Sequence, residues 1–157
     1  MDDDSNEIAL FISVGNCNPN LFFLMNNLSN HYIPGTCNIG IDEITKRKAE
    51  LAIGIIVTFS FTSLSFWFQY PLIMWLLLFV FSGYTILMYF QVSNRFCVLF
   101  GWLKRYNFGT LGNQQKINDP GQVARDRKKV LVIGLQTLVI SVVYTGLIYS
   151  LSLWIHF

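Results

Sequence analysis

The sequence predicts an all-α integral membrane protein with three transmembrane helices, a hairpin plus one, behind a short N-terminal cytoplasmic segment. Three observations carry this. Residues 51–94 contain no charged side chain. At about 1.5 Å per residue they would make a helix of roughly 65 Å, twice the hydrocarbon core of a bilayer. The run must therefore fold back once, and Gln69-Tyr70-Pro71 is the place where it can. Residues 130–153 form a second apolar block long enough to cross. Finally, 53% of the chain is hydrophobic and 13% charged, too few charges to cover an ordinary soluble surface.

The elements follow in chain order. Residues 1–41 form an N-terminal cytoplasmic or interfacial segment, and 42–157 a membrane domain with spans at about 51–70, 72–93 and 130–153. The first segment holds Asp2, Asp3, Asp4 and Glu7 but no Lys or Arg. Its apolar stretch from Ile8 to Leu28 is broken by Asn16, Asn18, Asn20, Asn26 and Asn27, and a fourth span would have to bury those amides. A signal peptide would need a basic start and a small-residue cleavage site. The stretch reads as interfacial or partner-docking, against an irregular tail or a true start at Met25. Pro34-Gly35 marks a turn, and Asp42 is the expected N-cap of the first helix. Glu43/Arg47 and Lys46/Glu50 have the spacing of i,i+4 ion pairs.

The connector, residues 95–129, reads as loop through Asn107-Phe108-Gly109 and Leu111-Gly112. Asp119-Pro120 then has the form of an N-cap followed by proline in the first turn. The third helix should start there and enter the membrane behind Arg125, Arg127, Lys128 and Lys129.

All basic residues lie in Lys46-Arg47-Lys48 or between Arg95 and Lys129. A hairpin brings both clusters to one side, which the positive-inside bias assigns to the cytoplasm. The expected location is the cell inner (cytoplasmic) membrane, multi-pass, with the N-terminus inside and the C-terminus outside. Trp67, Tyr70, Trp75 and Trp154 fall at the expected outer interface, Trp102 and Tyr106 near the inner one. Lys46, Arg47, Lys48, Arg125, Arg127, Lys128 and Lys129 are candidate contacts for anionic lipid headgroups rather than for nucleic acid.

Inside the spans, small residues follow helical spacing: Gly54, Thr58, Thr62 and Ser65 in the first, Gly134, Thr137, Ser141 and Thr145 in the third. In lipid such stripes permit close backbone approach, so the two are expected to pack on each other. The spans contain no Asp, Glu, Lys, Arg or His. Proton relays and ion-coupled transporters normally need one, which argues against ion or proton transport by this chain alone.

Chemistry is confined to three cysteines. Cys37 precedes the first helix and Cys97 follows the second span, so both belong near one membrane face. They are the candidate redox thiols, helped by Arg95 and Lys46. On a cytoplasmic face all three cysteines, Cys17 included, are expected to be reduced, and Cys37 and Cys97 unpaired. Cys17, His31, Cys37 and Cys97 lack the close spacing that organises zinc, and Gly109 with Gly112 makes no phosphate loop. Neither His31 nor His156 has a partner set for nucleophilic catalysis. No metal, cofactor or catalytic residue is expected.

Cys37-Asn38-Ile39-Gly40 with Glu43 and Arg47, then a two-span hairpin, then Phe96-Cys97 with Gly101, resembles small bacterial inner-membrane domains of unknown function. Those domains carry an Asn-x-Gly motif before the hairpin and a Phe-Cys pair after it, and occur alone or fused to membrane-bound rhodaneses. The resemblance covers about residues 37–101. Val98 stands where a proline often follows that cysteine. The resemblance implies a prokaryotic inner membrane and a link to sulfur or thiol metabolism.

The expected function is a non-enzymatic accessory or scaffolding subunit of a larger membrane complex, meeting other membrane subunits or copies of itself. The alternative is a membrane-anchored thiol or sulfur-handling protein using Cys37 and Cys97. A lipid-responsive protein using the basic connector is a third reading.

Overall fold

The computed structural model describes residues 32–68 and 70–156. Helix α1 spans Ile41–Ser65, α2 Leu72–Asn94, α3 Val98–Leu103 and α4 Pro120–His156. Between α3 and α4 lies a two-stranded antiparallel ribbon, β1 (Arg105–Tyr106) against β2 (Gln115–Lys116). Three of the helices, α1, α2 and α4, are long and apolar enough to cross a membrane.

The reversal between α1 and α2 falls where the sequence placed it. Pro71 is the N-cap of α2, its missing N–H costing nothing there. Helix α4 starts at Pro120, and Asp119 Oδ1 accepts the Gly121 N–H at 3.0 Å, as its sequence foretold. Helix α1 differs from expectation. It begins at Ile41, its N-cap two residues earlier than expected, at Gly40 rather than Asp42. The connector also holds more structure than a loop, namely α3 and the ribbon.

The central helix is α2, packed on α1 along one side and on α4 along the other. A Cβ on Gly54 would lie 2.8 Å from Thr85 Oγ1, so this glycine sets the α1–α2 approach. Thr58 and Thr85 hydroxyls then hydrogen-bond at 2.9 Å. On the other side Gly83 admits Ser141 of α4, whose Oγ would stand 3.2 Å from an added Cβ. The small-residue stripes of the first and third spans therefore do not face each other along their length. Gly54 and Thr58 of the first stripe and Ser141 of the second pack on α2 instead, because α2 carries Thr85 and Gly83 at matching depth. Only at the far end do α1 and α4 meet: Thr62 and Tyr144 hydroxyls are 2.7 Å apart, and Ser152 donates to the Ser65 carbonyl at 3.0 Å. Trp75 stands edge-on to both Tyr70 and Tyr149 at this end. Gly134 has nothing within 4 Å of its added Cβ and faces outward.

At the opposite, basic end, Phe96, Val130 and Ile133 form a buried cluster that fastens the end of α2 to α4. Gly101 is needed here, since a Cβ would lie 2.7 Å from Phe96 and 2.8 Å from Val130. A second cluster, Ile39, Cys97 and Phe100, holds the segment before α1 against α3.

Candidate functional site

The charged groups that the apolar stretches of the long helices lack are gathered at the basic end, where residues 37–40 thread between the end of α2 and the ribbon. Two asparagines organise the threading. Asn38 is fully buried. Its Oδ1 accepts the Cys97 N–H at 2.6 Å and its Nδ2 donates to the Cys97 carbonyl at 2.9 Å. A carboxamide presents a donor and an acceptor side by side, as a peptide group does, so one side chain satisfies both backbone groups of one residue. The Asn38 main chain continues the arrangement, its N–H donating to Arg95 O and its carbonyl accepting from Asn107 N.

Asn107, also fully buried, closes the other flank. Gly40 N–H donates to its carbonyl at 2.7 Å, and glycine allows this close approach, since an added Cβ would meet Phe108 Cα at 3.0 Å and push that backbone back. The Asn107 side chain accepts from Gly109 N and donates to the Thr110 carbonyl and Glu43 Oε1. That last bond removes Glu43 from the expected pairing with Arg47. Arg47 instead pairs with Glu50, Nη1 to Oε2 at 2.8 Å, so the i,i+3 pair replaces both i,i+4 pairs.

The other Arg47 terminal nitrogen, Nη2, lies 3.4 Å from Cys97 Sγ. Its Nε is buried with no hydrogen-bond partner. Cys97 is a fully buried free thiol. Cys37 is buried and disulfide-bonded. The two candidate thiols are thus drawn to one neighbourhood, through Asn38, yet not joined to each other. The expectation of a reduced Cys37 is corrected; that Cys37 and Cys97 are not paired with each other is as expected. Cys17 and His31 lie outside the described residues, and among the described residues no group of three His, Cys, Asp or Glu could hold a metal ion.

Of the candidate headgroup residues, Lys46, Lys48, Arg125, Arg127 and Lys128 are exposed, while Arg47 and Lys129 are half-buried. Asp126, in the middle of the last cluster, turns inward and is fully buried. Its Oδ1 accepts the Gly35 N–H at 2.6 Å and its Oδ2 the Tyr32 hydroxyl at 3.0 Å, tying the turn before α1 to α4. Burial, then the charge of Asp126, push the Tyr32 phenol well above its ordinary pKa. Sequence reasoning missed this pair. The available signal was a lone acid inside a basic run, on the same helical face as Val123, Val130 and Ile133.

Tyr32 also stacks on Tyr106, ring centroids 4.7 Å apart. Together with Phe108 these rings line a cleft of about 500 Å³, whose lining also includes Lys116, Asn118 and Gln122. Comparison with protein-family models, with curated proteins and with solved structures gave no match.

Proposed function

We propose that the protein is a non-enzymatic accessory subunit of a larger complex, in the cell inner membrane with its basic end toward the cytoplasm. One observation carries this: the spans use little of their surface on one another. In the apolar stretches of α1, α2 and α4 only 17%, 17% and 11% of residues are buried. Outward-facing positions of α4 include Gly134 and Gly146, both with open space around them, and the exposed Gln136. Small residues and a carboxamide on a lipid-facing surface are what neighbouring helices use to approach and bond. The partner is therefore another membrane helix. The charge asymmetry supports the orientation.

The test uses two leucines. Gly134→Leu and Gly146→Leu, both outside the internal packing, are expected to strip co-purifying membrane partners in mild detergent while leaving thermal stability within about 0.5 kcal/mol. Gly83→Leu should instead destabilise the chain itself by about 1–3 kcal/mol, through overpacking against Ser141. Unchanged partner recovery in both outward variants would sink the accessory reading.

The Arg47–Cys97 contact favours a second reading, thiol or sulfur handling. A disulfide at Cys37 on a cytoplasmic face would be transient rather than structural. Titrating the full chain in membranes against a glutathione redox buffer, with mass-shift alkylation, separates the two. Reduction of Cys37 only below about −300 mV marks a structural staple and leaves the accessory reading standing; opening near the cytosolic poise favours thiol chemistry.

A further inference from the structure

The cleft beside the ribbon belongs to neither reading, and its lining has a definite chemistry. Among the described residues, Lys116 is the one charged side chain lining it, and no carboxylate does. Asn118, Gln122 and Gln115 add three carboxamides, each able to donate N–H bonds. The acceptor side of Gln115 is already taken by the Tyr106 hydroxyl at 2.6 Å, which leaves its NH₂ for something else. The Tyr32 hydroxyl is committed to Asp126. What the two tyrosines and Phe108 offer the cleft is ring surface. Two acids lie outside the lining: Asp126, fully buried and hydrogen-bonded to Tyr32, and Asp119, which is exposed, accepts from Gly121 N and keeps its negative charge. A cleft with one ammonium, several carboxamide donors and an aromatic wall suits an anion with several acceptor oxygens attached to a less polar body.

We propose that this cleft binds a phosphate group, held by Lys116, Asn118 and Gln122, with the attached moiety against Tyr106 and Phe108. Two sources share that chemistry, an anionic phospholipid headgroup and a soluble phosphate ester. The cleft sits at the same end as the exposed basic residues Lys104, Arg105 and Arg127, which raise the local concentration of either. The assignment does not depend on the accessory-subunit reading: partner recovery and phosphate binding are separate measurements.

The experiment follows the side-chain amide NMR signals of Asn118 and Gln122 in the full chain, embedded in phosphatidylcholine nanodiscs. One arm adds glycerol 3-phosphate to the solution, and the other dopes the discs with phosphatidylglycerol. A saturable shift in either arm is expected and identifies the source. Lys116→Ala should weaken it at least about tenfold, the scale of a charge-assisted hydrogen bond. Arg127→Ala removes an exposed cation outside the lining and should cost about fivefold or less. Asn118→Asp, which sets a carboxylate in the cleft, provides the same loss where Lys116→Ala proves unstable. Absence of a saturable shift in both arms, or an equal loss in Arg127→Ala, would overturn the proposal, the latter by reducing it to diffuse surface charge.

Discussion

Asn38→Asp is expected to destabilise the basic end by roughly 3–5 kcal/mol, the range seen when a buried polar network gains an uncompensated charge. The reason is geometric. Asn38 Oδ1 and Nδ2 serve the N–H and the carbonyl of Cys97, and the residue has no exposed surface. A carboxylate could still accept from the N–H, but its second oxygen would face a carbonyl oxygen with no proton between them. Asn38→Ala should cost less, about 2–3 kcal/mol, because it leaves the two backbone groups unpaired without adding a charge. The spans keep their own backbone hydrogen bonds in either variant, so the loss should appear locally. Limited proteolysis in membranes checks it: new cuts are expected in the connector, with the spans still protected. Wild-type resistance in Asn38→Asp would show that the clasp contributes nothing.

The second large effect is expected at Asp126. Asp126→Ala leaves the Gly35 N–H and the Tyr32 hydroxyl without their acceptor, at a cost of about 2–4 kcal/mol for the pair. Gly35 has φ +73°, and its position lies against the Arg125 backbone, so the turn has little freedom to find a substitute. Asp126→Asn keeps one acceptor oxygen and should lose about half as much. Two measurements distinguish this from general loosening. Hydrogen exchange at the Gly35 amide should accelerate far more than exchange in the middle of α2. In Asp126→Asn the Tyr32 phenol, followed by ultraviolet titration, should ionise at a lower pH than in the parent, because the carboxylate charge that opposes ionisation is gone. An unchanged phenol titration would mean that burial alone holds its proton.

Exposed basic residues at the ends of α1 and α4 leave these contacts undisturbed. The difference between Asp126 and its neighbours Arg125 and Arg127 is one of facing, set by where α4 meets the Gly35 turn. The same distinction applies to Asn38. Its place in the Cys37-Asn38-Ile39-Gly40 motif was visible, but the motif did not say that the carboxamide would stand in for a strand neighbour of Cys97.

Sequence alone determined the three apolar helices, the reversal before Pro71 and the start of the last helix at Pro120. Each depends on a local property: run length against bilayer thickness, a missing N–H, or an Asp beside a Pro. Sequence also placed Cys37 and Cys97 at one end, because a hairpin returns there. Only the tertiary structure decided what meets what. It put α2 between α1 and α4, since Gly83 and Thr85 lie at the depth of Ser141 and Thr58. It turned Glu43 toward Asn107 and Asp126 toward Gly35, removing both from the charged surface. It also left Cys97 free beside Arg47 while Cys37 is bonded elsewhere. These outcomes depend on contacts between residues some 30 to 90 positions apart, such as Tyr32 and Asp126, for which helical periodicity and capping carry no information.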